Sequence, residues 1–280
     1  MLITALAILA LGMPSQQRVH SLTGNIKHHD GFESKILGNK RNLIVYLPPG
    51  YEEDKTRRYP VLYMNDGQNV FDGMTSYIPN QEWRADEAAE RLIRAGKIEP
   101  LIIVGVDNGQ MARADEYLPT RAQTKFAKDP IGGKADLYGD MLTKELMPMI
   151  NSTYRTKTGG THTGILGSSL GGIVSFYLGT TRPKVFGKLG VVSPSIWWDD
   201  RLLIKQTKAW KAKPPVKIWL DMGTKEGYEG LLDARNLKRA LEAKGFILGK
   251  DLAYMEAPGA QHNEAAWAAR MEAILLFLYG

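Results

Sequence analysis

Residues 101–106, LIIVGV, restrict this chain more than any other segment. Six apolar residues in a row, between Pro100 and the turn-forming Asp107-Asn108-Gly109, leave no polar face for water. That is the pattern of a strand covered on both sides, and such strands belong to parallel sheets sandwiched between helices. The rest of the chain repeats the theme. Short strands are expected at 26–33, 43–47, 61–64, 161–166, 189–192, 216–222 and 252–256. Helical periodicity is expected at 83–95, 136–154, 170–181, near Leu202, at 228–243 and at 263–279. Strands alternating with helices predict an α/β fold, a mostly parallel central sheet with helices on both faces. No composition break, linker or repeat divides it, so residues 13–280 read as one α/β domain. Residues 109–133 are polar and irregular, too long for an idle connector, and read as a pocket-edge loop.

Residues 1–11, MLITALAILAL, have the length of a signal-peptide core, with small residues placed for cleavage after Gly12. Residues 1–12 are therefore expected to be a signal peptide, and the protein to be secreted or periplasmic. The run is too short to span a bilayer, so no integral membrane association is expected. The chain has no cysteine, which removes thiolate metal sites, disulfides and a Cys nucleophile. Its net charge of +6 comes from scattered Lys and Arg, with no basic run interleaved with aromatics, so nucleic acid is not an expected partner.

The chemical signal is Gly167-Ser168-Ser169-Leu170-Gly171, running out of a strand and into a helix. A Gly-x-Ser-x-Gly pattern is expected about 0.1 times by chance in a chain with these Gly and Ser contents, so context matters. The strand before and the helix after supply it, and the motif then reads as a nucleophile elbow. Residues two positions either side of the nucleophile must be small, because the tight turn brings them together. Ser168 is flanked at those positions by Leu166 and Leu170 and fails; Ser169 is flanked by Gly167 and Gly171 and is the candidate nucleophile. Gly172 would let the helix approach the sheet.

A serine hydroxyl needs a base, and in this motif the order along the chain is Ser, acid, His. Of five histidines only His262 follows Ser169, in a loop between the last strand and the last helix. It is the candidate base. The acid should follow the penultimate strand, where Asp221 and Glu226 both occur; Glu226, in the turn, is better placed to reach across the strand ends. The oxyanion donors would be the backbone N–H groups of Leu170 and of Gln68, in the loop after the third strand. No HExxH, phosphate-binding loop or cysteine cluster calls for a metal or cofactor.

Five segments together resemble the Putative esterase family of α/β hydrolases. They are residues 47–51 (LPPGY), 63–69 (YMNDGQN), 104–109 (VGVDNG), 167–172 (GSSLGG) and 193–198 (SPSIWW). The family includes feruloyl and other carbohydrate esterases, enterochelin-type siderophore esterases and mycolyltransferases, and the resemblance runs from about Lys27 to the C-terminus. It implies an α/β-hydrolase fold. It places the acid in a Gly-Thr-x-Asp/Glu turn, which is Glu226 here, and the second oxyanion donor after the Asp-Gly pair, which is Gln68. It also sets the loop of Trp197 and Trp198 beside the pocket, where one indole would be core and the other would stack on a sugar or aromatic acyl group. Arg113, Glu116 and Tyr117 are weaker candidates for the same cleft. The implied activity is a serine carboxylic ester hydrolase working through an acyl-enzyme on feruloyl- or acetyl-type carbohydrate esters. The alternatives are a siderophore esterase, an acyltransferase and a catalytically silent carbohydrate-binding relative.

Overall fold

A computed structural model describes residues 17–124 and 127–280. Residues 1–12 lie outside the described residues.

Among the described residues ten strands form in chain order: β1 (Asn25–Ser34), β2 (Asn39–Leu47), β3 (Val61–Asn65), β4 (Ile102–Val106), β5 (Arg121–Ala122), β6 (Ile131–Gly132), β7 (Thr163–Ser168), β8 (Lys188–Val192), β9 (Lys217–Gly223) and β10 (Leu252–Ala257). Eight of them make one sheet in the order β1-β2-β4-β3-β7-β8-β9-β10. The β1–β2 and β2–β4 pairs are antiparallel; every pair from β4 to β10 is parallel. This is the α/β-hydrolase fold. Leaving β3, the chain first crosses to β4 on one side and then returns to β7 on the other. The carboxyl ends of β3 and β7 thus flank a topological switch point, where open α/β sheets bind ligands.

The helices are α1 (Ala85–Arg94), α2 (Arg113–Tyr117), α3 (Ala135–Asp140), α4 (Met147–Thr153), α5 (Leu170–Thr181), α6 (Trp198–Ala209), α7 (Tyr228–Ala243) and α8 (Glu264–Tyr279). A π-helical segment, Met141–Leu146, joins α3 to α4. Period-two alternation divides each central strand between two cores. In β4, Ile102 and Val104 face the core covered by α2 to α7, whereas Ile103 faces the one closed by α1 and α8. Trp267, Met271, Ile274, Leu275 and Leu278 of α8 are all buried in the second core. Each such side chain taken from water contributes roughly 1.5–3 kcal/mol.

The described parts of the 109–133 segment are more ordered than their composition suggests. They hold α2 and the β5–β6 ribbon, tied together by Gly132 N–H donating to Asp115 Oδ1 at 2.8 Å.

The second core also buries a carboxyl. Asp86, in the first turn of α1, has no exposed surface and accepts a hydrogen bond from Thr23 N at 2.6 Å. Burial, and then its neighbour Glu87, push it up to about 8. Between pH 4 and 8 the folded chain keeps a proton that the unfolded chain has released, so this carboxyl costs stability as pH rises through that window. Asn in its place cannot ionise and still accepts from Thr23. Urea titrations at pH 5 and pH 8 are expected to show Asp86→Asn gaining over wild type, with the larger gain at pH 8.

Candidate active site

Ser169 ends the β7 turn at φ 58°, ψ −121°, a backbone region that disfavours any side chain. The turn is fastened to the end of β8: Ser169 N–H donates to Val192 O at 3.1 Å, and Ser195 N–H donates to Ser169 O at 3.2 Å. The glycines do what the spacing demands. A Cβ on Gly167 would lie 2.7 Å from the carbonyl carbon of Gly171. One on Gly172 would press on Pro194 at 3.1 Å, so the start of α5 sits tight against the strand end.

His262 lies between β10 and α8, as the chain order requires, and its Nδ1 is 2.6 Å from Glu226 Oε2. Its loop is bound to the acid's turn at several points. Thr224 N–H donates to Ala257 O at 2.9 Å, Lys225 N–H to Ala260 O at 3.0 Å, and Gly259 N–H to Thr224 Oγ1 at 2.7 Å. Glu226 Oε1 accepts from Gly223 N–H at 2.8 Å and from Ser193 Oγ at 2.6 Å. Burial works to raise the Glu226 carboxyl, but the bonds from His262 and Ser193, with the His262 charge and Gly223 N–H, outweigh it and hold it low. Glu226 is therefore an ionised partner for the imidazole.

Asp221, the other acid considered, has a different occupation. It is fully buried and accepts from Arg270 Nε at 3.1 Å, Arg270 Nη2 at 3.2 Å and Trp219 Nε1 at 2.7 Å. Arg270 Nη2 and Trp267 Nε1 also donate to Ser193 Oγ, at 2.9 and 3.1 Å. Asp221 and Arg270 thus brace Ser193, and Ser193 directs its own proton to Glu226. Sequence reasoning noted Ser193 only as part of a family mark. The signal available was two serines at the end of the strand beside the elbow.

Ser169 and His262 border one cavity of about 540 Å³. No hydrogen bond joins them; Ser169 Oγ instead lies 3.2 Å from Ser195 Oγ. Such bonds are often loose before substrate arrives. Leu170 is the first residue of α5, and Gln68 lies in the 3-10 turn Gly67–Asn69 that directly follows β3. Both stand in a first helical turn, where N–H groups lack intrahelical acceptors. Gly67 lets that turn lie against the end of β4, since a Cβ there would meet Gly105 and Val106 backbone at 2.6 Å.

Arg113 reaches the cavity from α2 and grips Asp66, with Nε–Oδ1 at 2.6 Å and Nη2–Oδ2 at 2.8 Å. The charge of Asp66 and this pairing outweigh the effect of burial and raise the guanidinium further above its ordinary range. Glu116 and Tyr117 lie beneath the surface: Glu116 pairs with Arg41 at 3.0 Å, and the Tyr117 hydroxyl accepts from Asp66 N–H at 3.1 Å. Neither lines the cavity. Nor do Trp197 and Trp198, which border a second cavity of about 640 Å³ with Asp199 and Asp200. The chain turns left-handed just after them, at Asp199–Arg201 (φ 44°, 49° and 62°). Trp198 is buried, its Nε1 donating to Thr120 Oγ1 at 3.1 Å, while Trp197 is half exposed.

Comparison with known proteins gives concordant matches. An endo-1,4-beta-xylanase/feruloyl esterase of Xylanibacter ruminicola is 31% identical over 230 residues, 80% of this chain and 27% of that protein. The ferri-bacillibactin esterase BesA of Bacillus subtilis is 27% identical over 228 residues, 75% of each chain. The crystal structure of the BES protein from Bacillus cereus superposes with a TM-score of 0.71 at 21% identity, covering 96% of this chain and 99% of that one. The family described as Putative esterase matches residues 34–278, and the chain belongs to it.

Proposed function

We propose that the protein is a serine carboxylic ester hydrolase acting through an acyl-enzyme on acylated carbohydrates of the feruloyl or acetyl type. The observation that carries the reading is the 2.6 Å His262–Glu226 pair opening on the same cavity as a serine held at φ 58°. The feruloyl esterase among its relatives supports the substrate class.

In this reading Ser169 Oγ attacks the ester carbonyl as His262 takes the hydroxyl proton, and Glu226 holds the imidazole in the tautomer that can accept it. The N–H groups of Leu170 and Gln68 receive the oxyanion. His262 returns the proton to the departing alcohol, and water then cleaves the acyl-serine by the same route. Exposure of the protein to a fluorophosphonate tests the assignment directly. Mass spectrometry should find a single adduct, on the peptide containing Ser169, with esterase activity on p-nitrophenyl acetate lost in proportion. An adduct elsewhere, or full labelling with activity intact, would remove Ser169 as nucleophile. The N-terminal apolar run supports export, for which a mature chain starting at Met13 is the expected product.

A further inference from the structure

The charges around the Ser169 cavity do not balance toward an anionic substrate. The one Lys or Arg among the described residues lining it is Arg113, whose charge is already taken by both oxygens of Asp66. A third charged group, Glu264, remains. It opens α8 two residues after His262, is 6% exposed, and borders the cavity. Its Oε1 accepts from Asn69 Nδ2 at 3.1 Å; Oε2 has no side-chain hydrogen-bond partner among the described residues. Asp66, Arg113 and His262 are the charged groups that act on it, and burial raises its carboxyl above the ordinary range, with Asp66 adding to the rise. Its own backbone N–H also bonds to the carboxylate, so the group is held at the cavity wall beside His262 with no cation of its own among the described residues.

Resting on the esterase reading, we infer that Glu264 selects neutral, hydroxyl-bearing esters and excludes anionic ones. Its carboxyl, standing on the cavity wall, accepts from a substrate hydroxyl, and its charge repels a carboxylate or catecholate held in the same cavity. The net positive charge of the chain as a whole is no guide here, because within about 10 Å of the reacting carbonyl the local charges dominate. A polyanionic ferric catecholate is the substrate this cavity is least suited to.

The experiment compares kcat/KM for p-nitrophenyl butyrate and p-nitrophenyl hemisuccinate, alike in size and differing in charge. It does so in wild type, Glu264→Gln and Glu264→Asp. Wild type is expected to favour the neutral ester by on the order of tenfold or more, as a like charge a few ångströms away in a partly dry site implies. Glu264→Gln should narrow that ratio at least fivefold by improving the hemisuccinate, and Glu264→Asp should keep most of it. A ratio that stays within twofold in Glu264→Gln, or a wild type that prefers the anionic ester, overturns the inference. Failure of the esterase reading itself looks different: neither ester is turned over and Ser169 takes no fluorophosphonate.

Discussion

Ser169→Ala is expected to lower kcat on p-nitrophenyl acetate by about 10⁴-fold or more, the scale on which removal of a triad nucleophile acts. The protein should still fold. Alanine keeps the Cβ that already sits at φ 58°, and the elbow's fastening to β8 runs entirely through backbone atoms, from Ser169 N–H to Val192 O and from Ser195 N–H to Ser169 O. Among the described residues, the side-chain bond lost is the 3.2 Å contact with Ser195 Oγ. An unchanged urea midpoint with activity at background is therefore the expected pair of results. Activity within tenfold of wild type would show that another group attacks the ester.

The two acids near the end of β9 should separate cleanly by what their loss affects. Asp221→Ala leaves Arg270, itself 4% exposed, without its counter-charge in the core, and breaking a buried pair in this way costs about 3–5 kcal/mol. The loss should appear as a large fall in the urea midpoint. Glu226→Gln keeps the shape of a half-buried turn and should cost little stability. Without a carboxylate opposite Nδ1, however, the imidazole loses both its tautomer control and its counter-charge, and kcat should fall by about 10³- to 10⁴-fold. Measuring both quantities on both variants decides the assignment. A stable, inactive Asp221→Ala beside an active Glu226→Gln would reverse the roles.

Much of the fold was legible because its signals are local. LIIVGV is a strand covered on both faces, and the spacing of Gly167 and Gly171 around Ser169 is a statement about one tight turn. The position of His262 follows from chain order alone. What escaped sequence reasoning depends on partners far away in the chain. The 109–133 segment looks irregular because its ordering contacts lie elsewhere: Arg113 on Asp66, and Glu116 on Arg41 seventy-five residues away. Ser193 gains its role only when β8, β9 and α8 converge on it. Of the two tryptophans one was expected in the core and the other at the substrate cavity; Trp198 is buried, and both border a different cavity. Their placement depends on partners distant in the chain, such as Thr120 Oγ1, which accepts from Trp198 Nε1 and lies seventy-eight residues away.

The backbone at residue 169 holds a strain of roughly 1–3 kcal/mol, which every serine-bearing copy of this chain carries whether or not substrate is present. Glycine at that position would release it. A directed-evolution campaign scored on heat resistance alone would therefore drift toward Ser169→Gly, enriching sturdier proteins that have discarded their nucleophile. Any stabilisation library built on this scaffold needs a catalytic filter in the same round.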